Sequence, residues 1–190
     1  MRIFLIGITL FLFSNCQNSL FNSSDCKNRS RWDVKTLTDK DAEKINFTPV
    51  ETTISELLNI IPEKTIAFST PRFGAELTTC RVRCYIKKFK EKKDGDIHLE
   101  ITDIDDNNKI MLAEIPDPEC GVAQGSIYSK NFSDDRKMIE SFLNKSGKIT
   151  SGVYEITGVI FFDRMKEESG SAPSGIEIHP ILSIRKITDN

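Results

Sequence analysis

Carboxylate and imidazole side chains stand in this chain at spacings that could bind a metal ion. Asp96 follows a glycine turn, Glu119 closes a proline-rich segment, and the two histidines alternate with apolar residues. Such groups are ligands for divalent metals. The alternating segments offer His98 and His179, together with a carboxylate, as candidate metal ligands. A shared polar cluster would contain both histidines together with four further acids, Glu100, Glu114, Asp163 and Glu177. A structural hydrogen-bonding role for each histidine is the competing interpretation.

A basic, partly aromatic stripe on one strand is a second candidate binding site. Its members, at every second position, are Arg81, Arg83, Tyr85 and Lys87. Stripes of this composition bind single-stranded nucleic acid by charge and base stacking. The competing interpretation is a solvated outer face. With a formal net charge of −2, strong non-specific binding to nucleic acid is not expected.

The N-terminus has the features of an export signal. Arg2 precedes an apolar run at 3–13, and Cys16 follows it. The run is shorter than the roughly 20 apolar residues that span a bilayer, and it matches a secretory signal. Residues 12–16 resemble the lipobox of bacterial lipoproteins, spirochaetal ones in particular, which implies that Cys16 is lipidated. An ordinary cleaved signal with a chance cysteine is the alternative.

The other four cysteines are candidates for disulfides in an exported chain. They are Cys26, Cys80, Cys84 and Cys120. Cys80 and Cys84 lie on one predicted strand, about 13 Å apart at about 3.3 Å per residue, which is too far for a bond between them. Each is expected either to pair with Cys26 or Cys120 or to be a small buried apolar residue.

The elements that must position these residues are mainly strands. Period-two alternation begins near residue 76 and recurs at 97–102, 109–115, 153–163 and 176–187. A capping box at 53–56 predicts a short helix, and Ser133 is expected to cap a longer one. The order predicts a mainly β fold, a five-stranded OB-like Greek-key barrel with one helix between strands 3 and 4 and a short N-terminal helical segment. A small β-sandwich or an α+β sheet is the alternative.

Two polar segments, 94–97 and 114–119, resemble the DGDT turn and the D-[TA]-P-E segment of staphylococcal-type nucleases. In that family carboxylates hold calcium and arginines stabilise charge on the phosphate. The resemblance therefore implies that Asp96 and Glu119 are calcium ligands.

The nuclease resemblance is incomplete at two positions. Pro116 stands where the family has a second metal-binding aspartate, and Met111 stands where it has a catalytic arginine. Groups of this kind each contribute several kcal/mol to catalysis. The sequence also contains no nucleophile elbow, P-loop or dinucleotide fingerprint. Enzymatic activity is therefore not expected, and a degenerate metal-dependent nuclease is kept as the alternative.

A longer resemblance extends from Trp32 onward. It is carried by Thr52-Thr53, 96–99, 113–116 with Cys120, 158–163, 172–173 and 175–180. These segments resemble a family of small, largely uncharacterised and often exported bacterial proteins that end in a GVxFFD…APNxIELHPV pattern. The resemblance implies a shared OB-like barrel and no particular reaction.

Together these patterns predict a membrane-anchored bacterial lipoprotein with a non-catalytic ligand-binding barrel. Residues 1–15 are expected to be the signal peptide, 16–30 the lipid anchor and tether, and 31–190 one domain. The expected partners are the membrane, through the anchor, and a protein, polysaccharide or oligonucleotide ligand. No cofactor is expected, except calcium under the nuclease alternative. The expected location is the cell envelope, at the outer membrane or cell surface, and a role in envelope assembly is a third possibility.

Overall fold

Alternating apolar residues form most of the regular structure as strands. The computed structural model describes residues 30–164 and 169–187. Its strands are β1 (Asn46–Glu51), β2 (Thr78–Glu91), β3 (Ile97–Asp103), β4 (Ile110–Ile115), β5 (Tyr154–Phe162) and β6 (Ile176–Lys186). Its α-helices are α1 (Trp32–Lys35), α2 (Ile54–Leu57), α3 (Gly121–Gln124) and α4 (Ser129–Ser141), and 3-10 turns cover Ala42–Lys44 and Gly74–Leu77. Among the described residues, no helix is both long enough and apolar enough to cross a bilayer.

Five of the strands close into a barrel. Hydrogen bonding runs in the order β2-β3-β4-β6-β5, and β5 pairs again with β2. The neighbours are antiparallel except for β4 and β6, which are parallel. Strand β1 lies outside the barrel and pairs with β2 in parallel. The prediction of a mainly β barrel is confirmed.

Strand β2 is long enough to pair with two barrel neighbours. Residues 79–84 pair with β5, and residues 84–91 pair with β3. The register with β3 shifts between Ile86 and Lys88, and irregularities of this kind bend a strand. One continuous strand thereby joins the two halves of the barrel.

The barrel interior is apolar and contains two of the candidate disulfide cysteines. Cys80 and Cys84 flank Val82 in the core and are free thiols. Of the two expectations for this pair, a disulfide with Cys26 or Cys120 is therefore not what the structure shows. Both cysteines are instead small buried apolar residues, which was the other expectation. Cys120 is disulfide-bonded. Cys26 lies outside the described residues.

The N-terminal segment, residues 31–45, covers the outer face of β5. Val159 packs there against Leu37 and Ile45. Next along the strand, the Phe161 ring centroid lies 4.7 Å from the Arg31 guanidinium carbon and 5.2 Å from Nζ of Lys35. Every residue of β5 is consequently buried. The cover brings cationic side chains onto the outside of the barrel.

Two elements differ from what the sequence pattern indicates. Helix α4 begins at Ser129 rather than after Ser133, because Phe132 is fully buried and extends the packed face towards the N-terminus. Strand β1 has no apolar alternation, since nearly all of its residues are exposed and one is Pro49. Its pairing with β2 forms the strand, and no local pattern predicts it.

Candidate functional site

A cluster of charged residues lies on the outer face of the barrel, beneath α1. His98 of β3 is paired across the strands with Glu114 of β4. Glu177 and His179 follow on β6, which pairs with β4 at residues 177 and 178. Successive strand residues point to opposite faces, and the alternating partners of these four residues lie in the apolar core. The polar residues therefore point outward, and Lys35 of α1 lies over them.

Glu114 is at the centre of the cluster. Its Oε1 lies 3.1 Å from Nδ1 of His98, and its Oε2 lies 3.0 Å from Nδ1 of His179. The same His179 nitrogen is 3.3 Å from Oε1 of Glu177. Lys35 Nζ lies 3.2 Å from Oδ2 of Asp163 and 3.7 Å from Oε1 of Glu177. Two histidines, three carboxylates and one ammonium therefore form a continuous network.

Burial and opposite charges compete throughout this network. Burial and the charge of Lys35 disfavour the imidazolium form of His179, yet its two carboxylate neighbours raise its pKa to about 9. Burial disfavours the charged form of Glu114, but Lys35 and the two imidazoles hold its pKa well below its ordinary value. Burial, and then the charge of Glu114, raise the pKa of Glu177. Burial opposes the charge of Lys35, but the surrounding carboxylates keep its pKa above the ordinary value.

Asp96 reaches the cluster from the turn between β2 and β3. Its backbone nitrogen donates to Asp94 Oδ1, and its Oδ1 accepts a hydrogen bond from the backbone nitrogen of Asp117. Gly95, at φ 88°, lies so close to Asp117 that a Cβ atom would overlap it. This packing brings one ligand atom each of Asp96, Glu114 and His179 to within 4.8 Å of one another.

Arg31 and Arg72 fasten α1 over the cluster. Arg31 Nη1 and Nη2 each donate to one oxygen of Glu76, and Arg31 Nε donates to the carbonyl of Thr70. Arg72 Nη2 donates to the carbonyl of Val34 at 2.6 Å. Both arginines are buried. The position of Lys35 therefore depends on ion pairs with residues that precede β2.

An open cleft of about 550 Å³ lies over the cluster. Its polar lining includes Lys35, Asp96, His98, Glu114 and Asp163. The aromatic side chains of Trp32 and Phe68, the lysines at 90, 92 and 93, and Arg164 also line it. Phe68 is 51% exposed, whereas Trp32 is 5% exposed. The cleft thus combines apolar ring surface with charges of both signs.

The structure brings together only part of the set that the sequence suggests. His98 and His179 both approach Glu114, and Asp96 joins them. Glu119 is exposed and is not among the converging ligands, so Glu114 takes the place predicted for it. Glu100 likewise lies apart, where it accepts a hydrogen bond from Ser169.

The basic stripe lies on the outer face of β2 and is partly neutralised. Arg81 pairs with Glu51 at 2.8 Å, and both Arg81 and Arg83 lie within 4 Å of Glu155. Lys87 Nζ donates to the carbonyl of Asn107, and Tyr85 is 37% exposed. None of the four lines the cleft described above. This surface is therefore less positive than its sequence indicates.

Three residues that hold the site together carry no sequence signal. Lys35, Arg31 and Glu76 lie in short helical turns without an apolar period, and their partners are remote in sequence. Met111, at the position of the nuclease arginine, is fully buried in the barrel core.

Comparison with models of known protein families found no match, and comparison with curated proteins found no significantly similar sequence.

Proposed function

We propose that this chain is a membrane-anchored bacterial lipoprotein whose OB-like barrel binds a ligand in the cleft over the buried cluster, without catalysis. The observation that carries the proposal is the cleft itself, an open concave surface over charged groups already held in place by buried partners. Ligand sites combine apolar surface with a few fixed polar groups in this way.

The strand order supports the OB-like assignment. Counted along the barrel, its strands follow the order 1-2-3-5-4 and close back on strand 1. Helix α4 precedes the fourth of them, and the first is the longest. Barrels of this type bind oligonucleotides and oligosaccharides on open faces.

Among the expected ligands, a polysaccharide fits the cleft best. Phe68, which is half exposed, offers ring surface, and Glu91 and Asp94 of the cleft lining offer acceptors for hydroxyl groups. A nucleic acid would need a continuous positive surface, whereas this cleft carries both signs of charge and the arginines of β2 are paired with glutamates.

Trp32 provides the test, because it is the single tryptophan of the chain and lines the cleft. Full-length protein in detergent is titrated with cell-wall and glycosaminoglycan oligosaccharides, and with a single-stranded oligonucleotide, while tryptophan fluorescence is recorded. Phe68→Ala should weaken saccharide binding, and Tyr85→Ala, which removes an exposed ring outside the cleft, should not. The contrary outcome is that the protein binds the oligonucleotide, loses that binding on charge reversal at Arg81 and Arg83, and keeps it in Phe68→Ala. That result would place the ligand site on the basic stripe of β2 rather than in the cleft.

The anchor is proposed on the sequence pattern at Cys16, which lies outside the described residues. Stable attachment to a bilayer requires more than one acyl chain, as lipidation at a mature N-terminal cysteine supplies. Cys16→Ala should abolish fatty-acid labelling and release the protein from membranes of the cell envelope. Unchanged partition of the variant into detergent would contradict the proposal.

A metal-dependent nuclease is the second candidate, favoured by the convergence of Asp96 with Glu114 and His179. Because Met111 supplies no charge to a phosphate, single- and double-stranded DNA and RNA should remain intact with calcium present. Calcium-dependent cleavage that disappears in Asp96→Ala would replace the binding proposal with this one.

A further inference from the structure

We infer that Asp96, Glu114 and His179 bind a divalent transition-metal ion of the zinc class at the floor of the cleft. The three residues come from the β2–β3 turn, from β4 and from β6, and one ligand atom of each lies within 4.8 Å of the others. Ligand atoms about 2.1 Å from a metal lie roughly 3.0–3.4 Å apart in octahedral and tetrahedral sites. The 3.0 Å between Glu114 Oε2 and His179 Nδ1 is at that spacing.

The hydrogen-bond geometry around Glu114 is a second, independent observation that points to a ligand at this position. Glu114 Oε2 is buried and no donor among the described residues is aligned with it, although His179 Nδ1 lies only 3.0 Å away. That nitrogen can carry one proton, and it lies in hydrogen-bonding geometry with Glu177. Buried carboxylate oxygens normally have a partner, and a metal ion between Glu114 and His179 would supply one.

Neighbouring groups hold the three ligands in place, as partners of metal ligands commonly do. Asp96 Oδ1 accepts a hydrogen bond from the backbone nitrogen of Asp117. Glu114 Oε1 lies against His98, which leaves Oε2 directed to His179. The ligand set is therefore preorganised by contacts outside it.

The charges of the cluster divide between Lys35 and the inferred ion. Lys35 lies beside Asp163 and Glu177, the two carboxylates outside the ligand set. Asp96 and Glu114 then supply the negative charge that faces the ion. A mixed nitrogen and oxygen set with three protein ligands suits zinc, iron(II) or manganese(II) better than calcium, which takes six to eight oxygens. Asp96 and Glu114 line the cleft, so a remaining coordination position faces it.

The test uses full-length protein in detergent that is stripped with a chelator and then dialysed against Zn²⁺ or Co²⁺. We expect one ion per chain by elemental analysis, and a Co²⁺ absorption spectrum without the charge-transfer band of a thiolate, because Cys80 and Cys84 lie in the core. Asp96→Asn and Glu114→Gln keep side-chain shape and should each lower affinity at least about 100-fold, more than the loss of an outer partner.

Glu119→Gln is the matched control, since Glu119 is an exposed carboxylate of the same segment. It should bind metal as the unchanged protein does, and circular dichroism should show all three variants folded. Absence of bound metal, or stoichiometric metal that persists in both Asp96→Asn and Glu114→Gln, would overturn the inference. The metal measurement needs no cleft ligand. If it shows no metal site, saccharide binding by the chelated protein would still support the proposed function, so the two failures can be told apart.

Discussion

Removing the carboxylate of Glu76 should destabilise the domain strongly, because it would leave the Arg31 guanidinium buried without its counter-ion. Both side chains are fully buried. Glu76 accepts from both Arg31 Nη atoms, from the backbone nitrogen of Phe162 at 3.0 Å and from that of Phe73 at 3.2 Å. One substitution therefore removes a buried ion pair and the acceptor of two buried backbone donors.

Breaking a buried ion pair by removing one partner costs about 3–5 kcal/mol, and each stranded backbone donor adds about 1 kcal/mol or more. For Glu76→Ala we expect a loss of about 5–7 kcal/mol, a large part of the roughly 5–15 kcal/mol that stabilises a domain. Glu76→Gln keeps the shape and one acceptor oxygen and should cost about 2–3 kcal/mol. Urea unfolding followed by tryptophan fluorescence and circular dichroism measures these values.

An exposed pair provides the control. Glu51 contacts Arg81 at 2.8 Å but is 67% exposed, so Glu51→Ala should cost less than about 1 kcal/mol. The double substitution of Arg31→Met and Glu76→Leu should be less damaging than Glu76→Ala, because it removes both charges together. If Glu76→Ala cost no more than Glu51→Ala, the conclusion that this pair fastens the N-terminal segment would be refuted.

Three further outcomes follow from other buried groups. Burial raises the pKa of Asp135 from 3.8 to about 7, so the folded state retains a proton that the unfolded chain releases. Stability should therefore fall by about 3 kcal/mol as pH rises from about 4 to about 7, and Asp135→Asn should flatten that slope in urea unfolding. A Cβ at Gly158 would overlap the Ile178 side chain and lie 2.6 Å from the carbonyl oxygen of Pro180, so Gly158→Ala should cost about 1–3 kcal/mol by thermal denaturation. Burial raises the pKa of Cys80 to about 12 and that of Cys84 also; a thiol reagent should label neither in the folded protein and both in urea, and labelling of the folded protein would contradict their place in the core.

Local alternation was sufficient to predict the barrel strands and which side of β2 is buried. Cys80, Val82 and Cys84 face the core, and Arg83 and Tyr85 face outward, as period two requires. The start of α4 and the presence of β1 depend on tertiary contacts that have no local period. Boundaries and edge strands are for this reason harder to predict than the strands of the core.

The sequence pattern relates the candidate residues of neighbouring strands to one another, but it leaves open whether His179 joins them and gives no indication of Lys35. His98 and Glu114 are cross-strand partners in an antiparallel pair. The alternation of side chains along each strand is therefore enough to place both on one face of the sheet. His179 joins them through the parallel pairing of β4 and β6, two strands separated by the long α4 connection. Lys35 comes from further still, and no pattern in its own segment indicates its role.

The position of the site on the outside of the barrel follows from how a small barrel is filled. Five strands leave room inside for side chains alone, and here apolar residues fill that space. Polar groups that alternate with them must point outward, where water would screen their charges unless another segment covered them. The segment that contains α1 provides the cover and also contributes Lys35 and Trp32 to the cleft. Substitutions that loosen this segment, such as Glu76→Ala, should therefore weaken ligand binding even though Glu76 does not line the cleft. If Glu76→Ala lowered stability by the expected amount but the folded protein bound its ligand with unchanged affinity, the cover would stabilise the domain without shaping the cleft.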